Sequence, residues 1–147
     1  AGLSGGAGCS GATVNTLTPG WCLGGSAGVS PTLDGAFSMP RGIAVQGAHL
    51  YVVDGAIGKS TIQKYNLATG AYIGWKGTVK VTPTGGDAVC TSRTPGSVTV
   101  GWCTGGSPAP PSDDAISAIS PAGIIADANY LYIFDAGSSR LVRIPID

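Results

Sequence analysis

The chain carries the same module twice. Cys9 and Cys22 recur as Cys90 and Cys103, an offset of 81 residues. At that offset Gly20, Trp21 and Cys22 match Gly101, Trp102 and Cys103, and Gly24 and Gly25 match Gly105 and Gly106. Pro40, Gly42 and Ile43 match Pro121, Gly123 and Ile124; Leu50, Tyr51 and Asp54 match Leu131, Tyr132 and Asp135. Self-similarity of this kind marks a repeat architecture. The first repeat spans residues 1–81, with a cysteine-bearing loop segment 1–39 and a strand-rich segment 40–77. The second spans 82–147, with the corresponding segments 82–120 and 121–147. Copy one continues through residues 61–66 into 71–77, whereas copy two stops inside or just after the part that corresponds to 61–66. It holds no counterpart of Tyr72, Ile73, Gly74 and Trp75. A repeat without its last strand has an open edge, and an open edge predicts assembly.

At 147 residues the chain is one domain's worth and long enough to bury a core. Its formal net charge is zero and only 11% of its residues are charged, which speaks against a nucleic-acid partner and against recruitment to anionic membranes. Hydrophobic residues make up 43%, so the 25 glycines belong to a compact chain rather than a disordered one. No apolar run approaches the roughly 20 residues that span a bilayer. The start at Ala1, Gly2 and Leu3, without Met, is what signal-peptide cleavage leaves, and predicts secretion.

The four cysteines point the same way. Each pair encloses twelve residues rich in Gly, Thr and Pro, and four cysteines allow three connectivities. The repeat favours Cys9–Cys22 with Cys90–Cys103, because each copy is then self-contained. A loop of this length contributes roughly 3 kcal/mol by constraining the unfolded chain. Zinc knuckles use tighter cysteine spacing, often with histidine, and the C-x-x-C redox spacing is absent too. Structural disulfides imply an oxidising compartment and an extracellular or cell-surface location.

Four short strand signals follow one another in copy one: residues 42–45, 49–54, 61–66 and 71–75. Gly, Asn and Asp turns separate β-branched and aromatic runs, the pattern of an antiparallel meander. Ile43 and Val45 in the first strand, and Leu50 and Val52 in the second, are each placed to present one face to a core. Copy two repeats the first three strands as 123–126, 130–135 and 140–144, and Pro145 suits a strand end or an edge. Residues 79–82 and 97–102 are expected as short strands around the second cysteine pair. Residues 113–119 allow one helical turn at most. The fold class is therefore all-β: two tandem four-stranded antiparallel meanders, the second short of its last strand.

A meander built on Pro40, Gly42, Ile43, Ala44 and Val45, on Leu50, Tyr51, Val52, Val53 and Asp54, and on Ile62, Gln63, Lys64 and Tyr65 resembles an NHL-repeat β-propeller blade. Residues 40–75 and 121–146 carry the resemblance. The lead-ins 18–25 and 101–106 look like those of disulfide-bearing NHL-type repeats of secreted bacterial proteins. The resemblance implies a fold and leaves function open, since propellers host many functions. Two blades cannot close a ring of the usual 4–8. Arg140, Leu141, Val142, Arg143, Ile144 and Ile146 are then expected to form an edge that accepts a strand. Its donor is the N-terminal segment Ala12, Thr13, Val14, Asn15, Thr16 and Leu17, of this chain or of a neighbour.

Other chemistry is thinly represented. The single His49 opens a strand, and Tyr130 stands at its place in copy two. Asp54 and Asp135 end matching strands, where such an acid commonly bonds turn backbone; no acidic spacing for Ca2+ surrounds them. Asp113 and Asp114 are adjacent and do not converge on a site. Trp21, Trp75 and Trp102, with Tyr51, Tyr65, Tyr72, Tyr130 and Tyr132, read as packing between blades, with a carbohydrate platform as the rival reading. Trp21 and Trp102 are expected to cover the disulfides. A nucleophile elbow, a phosphate loop and N-glycosylation sequons are all missing, although Ser and Thr in 78–120 permit O-glycans. Propeller-type amidating lyases resemble NHL propellers but need several metal-binding histidines. The expectation is a non-enzymatic, cofactor-free secreted structural subunit that partners itself, the alternative being a small closed oligomer holding a glycan or peptide. Low charge favours close subunit packing by limiting desolvation cost.

Overall fold

The computed structural model describes residues 4–6, 8–13, 18, 20–23, 34–56, 59–109 and 121–147. Within them the chain is all-β, with two single turns of 3-10 helix at Cys9–Gly11 and Cys90–Ser92.

A two-residue ladder, β1 (Ser4–Gly5) with β2 (Cys22–Leu23), stands before the first meander. That meander runs β3 (Pro40–Gln46), β4 (His49–Ala56), β5 (Lys59–Asn66) and β6 (Tyr72–Gly77), each antiparallel to the last. Local chemistry places its turns. Between β5 and β6, Asn66 Oδ1 accepts from the Thr69 amide at 2.9 Å, and Gly70 adopts φ 74°. A side chain on Gly70 would also collide with the Trp21 indole, 2.6 Å away. Beyond β6 come β7 (Val79–Val81), β8 (Gly85–Gly86), β9 (Cys103–Thr104) and β10 (Ser107–Pro108). Trp75 pairs with Cys103, so β9 and β8 extend the first sheet to the order β3-β4-β5-β6-β9-β8. The second cysteine loop thus joins the sheet of the first meander. β7 forms as expected, but the expected strand 97–102 reduces to one bridge, Val98 with Thr78, beside loop hydrogen bonds to residues 77–79.

The second meander is a three-stranded sheet: β11 (Pro121–Ala126), β12 (Tyr130–Asp135) and β13 (Arg140–Pro145). In its first turn Asp127 Oδ1 accepts from the amides of Asn129 (2.8 Å) and Tyr130 (2.7 Å). β11 lies beside β3 in the same direction. A Cβ on Gly42 would sit 3.1 Å from Gly123 Cα, a Cβ on Gly55 would meet Pro121, and Gln46 Nε2 reaches Ala128 O at 3.4 Å. Glycine suits position 42 because another backbone passes close by there.

The main core forms where the two sheets meet. The first contributes Ala44, Tyr51, Val53 and Ile62; the second contributes Ile124, Leu131, Ile133, Val142 and Ile144, followed by Ile146. Burial of each of the larger side chains stabilises the fold by about 1.5–3 kcal/mol. The expected core positions of copy one hold for Leu50 and Val52 and fail for Ile43 and Val45. Ile43 and Val45 are exposed, while Leu50 and Val52 pack with Tyr65 in a separate cluster on the other side of the sheet. The reason is that β4 is buried on both faces: Leu50, Tyr51, Val52 and Val53 are all inaccessible. A strand covered on both sides reads as a continuous apolar run, and alternation then cannot tell which face meets the neighbouring sheet.

Candidate functional site

Trp102 is the wedge between the two sheets. The Asp87 carboxylate fixes its backbone, accepting from the Trp102 amide at 2.7 Å. Its indole Nε1 donates to Ile146 O at 2.8 Å, just beyond β13, and its ring lies 5.6 Å from that of Tyr51. Two ammonium groups flank the indole, Lys64 Nζ at 5.1 Å and Lys76 Nζ at 4.7 Å from a ring centroid. Lys76 also donates to Pro145 O, and Lys64 pairs with the exposed Asp147 carboxylate at 3.5 Å. Burial, then the Lys64 charge, lowers the Lys76 pKa. Burial, then the Asp147 charge, pushes Tyr51 up to about 12, so its phenol is neutral at physiological pH.

Trp102 therefore does not cover a disulfide. The Cys90–Cys103 bridge, of the expected pairing, is buried against Trp75 and Val79, with Tyr72 beside them. The first bridge, Cys9–Cys22, also has the expected pairing. Trp21 is 52% exposed, and its indole Nε1 donates to Leu67 O at 3.1 Å. The two bridges fit an oxidising compartment.

The residues expected to form an accepting edge lie together. β13 pairs with β12 on one side, and no described strand pairs with its other side. Val142, Ile144 and Ile146 point into the core, while Leu141 and Arg143 point outward. Of the expected donor segment, residues 14–17 lie outside the described residues. Ala12 and Thr13 follow the Cys9–Gly11 turn, Ala12 with extended backbone at φ −68° and ψ 131°.

The acids serve turns. Asp54 accepts from the amides of Ser38 (2.9 Å) and Met39 (2.6 Å), and Asp135 from Gly137 (3.2 Å) and from Arg140 Nε (3.1 Å). The His49 ring lies 6.3 Å from that of Tyr51, and burial, then the Lys64 charge, lowers its pKa. Among the described residues no three His, Cys, Asp or Glu side chains converge as metal ligands. No helix among them is long and apolar enough to cross a membrane. A cavity of about 10 Å3 between Val53, Ile62, Pro121, Ile133 and Val142 has room for a water but not for a small-molecule ligand. Asp113 and Asp114 lie outside the described residues.

Comparison with family models, with curated proteins and with solved structures finds no match.

Sequence reading missed Lys64, Lys76, Asp87 and the wedge role of Trp102. Two lysines aligned on one face of neighbouring strands were the available signal, but long cations on a sheet usually mark its solvent side.

Proposed function

We propose that this chain is a secreted structural subunit that builds an extracellular filament, tube or surface layer by exchanging β-strands between copies. Each copy contributes two NHL-like blades, and the second accepts its fourth strand from outside its own meander. One observation carries the reading. In the first meander β6 covers β5, whereas the outer side of β13, which occupies the place of β5 in the second, has no strand partner among the described residues.

The repeat also defines the slot. Cys103, in β9, pairs with Trp75, in β6. Its counterpart Cys22, in β2, pairs with Gly5 alone among the described residues. A strand entering between β13 of one copy and β2 of the next would complete two ladders at once, and main-chain hydrogen bonds along an edge are a general source of affinity between chains. The N-terminal residues 12–17 are the proposed donor. No charge barrier opposes close assembly, because the net charge is zero.

The test is electron microscopy of the native, non-reduced protein with light scattering on the same sample. Regular filaments, tubes or layers are expected. Deleting residues 1–20 together with Cys22→Ser should leave a folded monomer by circular dichroism. A monomer at all concentrations, or a deletion variant that assembles normally, overturns the reading. A uniform small ring would turn the search to a ligand in its channel.

A further inference from the structure

Resting on the assembly reading above, we infer that the subunits also stack sheet on sheet. The outward face of the second meander would receive the first meander of the next copy, in the arrangement already used between the two meanders within the chain.

The internal interface is heterologous. The first meander uses the face that carries Ala44, Tyr51, Val53, Ile62 and Lys64. The second uses its opposite face, with Ile124, Leu131, Ile133, Val142 and Ile144. That leaves the outward face of the second meander uncovered; on the remaining face of the first, Leu50, Val52 and Tyr65 are already buried, and only the β3 margin, Ile43 and Val45, lies open. Strand pairing aligns Val53–Ile62 with Phe134–Leu141, Tyr51–Lys64 with Tyr132–Arg143, and Ala44–Tyr51 with Ile125–Tyr132. Every residue of the covered face thus has a counterpart of similar chemistry on the second meander. There the apolar ones lie open: Ile125 is 69% exposed, Phe134 54% and Leu141 66%, against 9% or less for Ala44, Val53 and Ile62. On the first meander, Ile43 (63%) and Val45 (54%) stand open where the matching Ile124 is 7% exposed. A contiguous apolar face is a mark of an interaction surface. Here the open face of the second meander is the counterpart of one half of an interface that already exists in the molecule, and the open β3 margin of the first is the counterpart of β11 in the other half, so the occupant is a second copy of this chain.

Two details are independent of exposure. Glycine suits position 42 because the β11 backbone passes close by at Gly123, where an added Cβ would lie a tight 3.1 Å from Cα. Gly123, its counterpart, has no such reason in the monomer: a Cβ there meets no described atom within 4 Å, and its φ is not left-handed. In the stack, β3 of the next copy crosses it. The second detail is Trp21. Its indole donates to Leu67 O, as Trp102 donates to Ile146 O. Leu67 stands where Ile146 does, because the Leu67 amide bonds Ala48 O as the Ile146 amide bonds Asn129 O. Trp102 uses its ring to fill the seam against Tyr51 and under Lys64. The ring of Trp21, held ready in the same way, would fill the next seam against Tyr132 and Arg143 of the neighbouring copy. In the free chain that guanidinium rests over the Tyr130 ring at 4.4 Å.

The experiment compares wild-type protein with Gly123→Val and with the double variant Phe134→Asp/Leu141→Asp, by light scattering, microscopy and circular dichroism. Both variants should fold and remain monomeric under conditions where wild type assembles. Wild-type assembly should also shift tryptophan emission to the blue and protect it from acrylamide, a change that is lost in Trp21→Phe. If both variants assemble as wild type does while the 1–20 deletion does not, strand exchange stands and stacking is overturned. If wild type never assembles, the reading beneath it falls as well.

Discussion

Two tryptophans of one repeat motif sit in opposite surroundings, and that difference sets what each is worth to the fold. Both follow a glycine, precede a disulfide cysteine and donate an indole N–H to a carbonyl just past the third strand of a meander. Trp102 is 5% exposed with its ring inside the main core, whereas Trp21 is 52% exposed. Removing a buried indole loses transfer free energy and leaves a cavity that the two sheets cannot close, since the neighbours on both sides are held in ladders. Trp102→Ala should therefore destabilise the monomer by about 3–5 kcal/mol. Trp21→Ala should cost about 1 kcal/mol or less, the scale of one partly solvated hydrogen bond. Urea unfolding of the two variants under dilute, monomeric conditions measures the difference, and equal losses would contradict the burial contrast.

At the level of elements, the two cystine loops are equal in length and unequal in cover. Each bridge spans a sequence separation of 13, so constraint of the unfolded chain contributes about 3 kcal/mol in both cases. Cys90 and Cys103 are fully buried behind Trp75 and Val79, whereas Cys22 is partly accessible in a two-residue ladder. Thiol attack on a disulfide needs access to a sulfur. Limited reduction and alkylation, read by peptide mass spectrometry, should label Cys22 well before Cys103; simultaneous labelling would mean that the second loop opens as readily as the first. The pairing itself was legible in the sequence, because identical spacing in two copies favours one connectivity. The seven meander strands were legible too, from β-branched and aromatic runs separated by Gly, Asn and Asp turns. The sheet that the second loop joins was not legible: chain order assigns it to copy two, and only the Trp75–Cys103 pairing places it on the first sheet. Nor was the choice of core face, because β4 is apolar on both sides. The wedge position of Trp102 was not legible either, since it depends on tertiary contacts that no local pattern encodes.

At the scale of the whole molecule, the decisive property is that the two open faces differ. Ile43 and Val45 belong to one side of the first meander; Ile125, Phe134 and Leu141 belong to the opposite side of the second. Like faces do not match one another, so a symmetric two-fold dimer could not satisfy both, and in the proposed stack the contact would propagate head to tail into a ring or a filament. This polarity has a kinetic signature. A chain bearing Phe134→Asp/Leu141→Asp keeps its first meander intact and can dock on a growing end, but the face it then presents carries charges that would be buried without partners, at a cost that blocks the next addition. It should act as a cap. Mixed as a minor fraction into wild-type protein, it should shorten filaments far more than dilution of the wild type by the same amount does. The mirror variant Ile43→Asp/Val45→Asp should cap the opposite end, and the two together should shorten filaments more than either alone. Length distributions from electron microscopy decide the matter. If the variants are merely left out and filaments keep their wild-type length, neither altered face takes part in docking on the growing end, and the head-to-tail geometry is wrong.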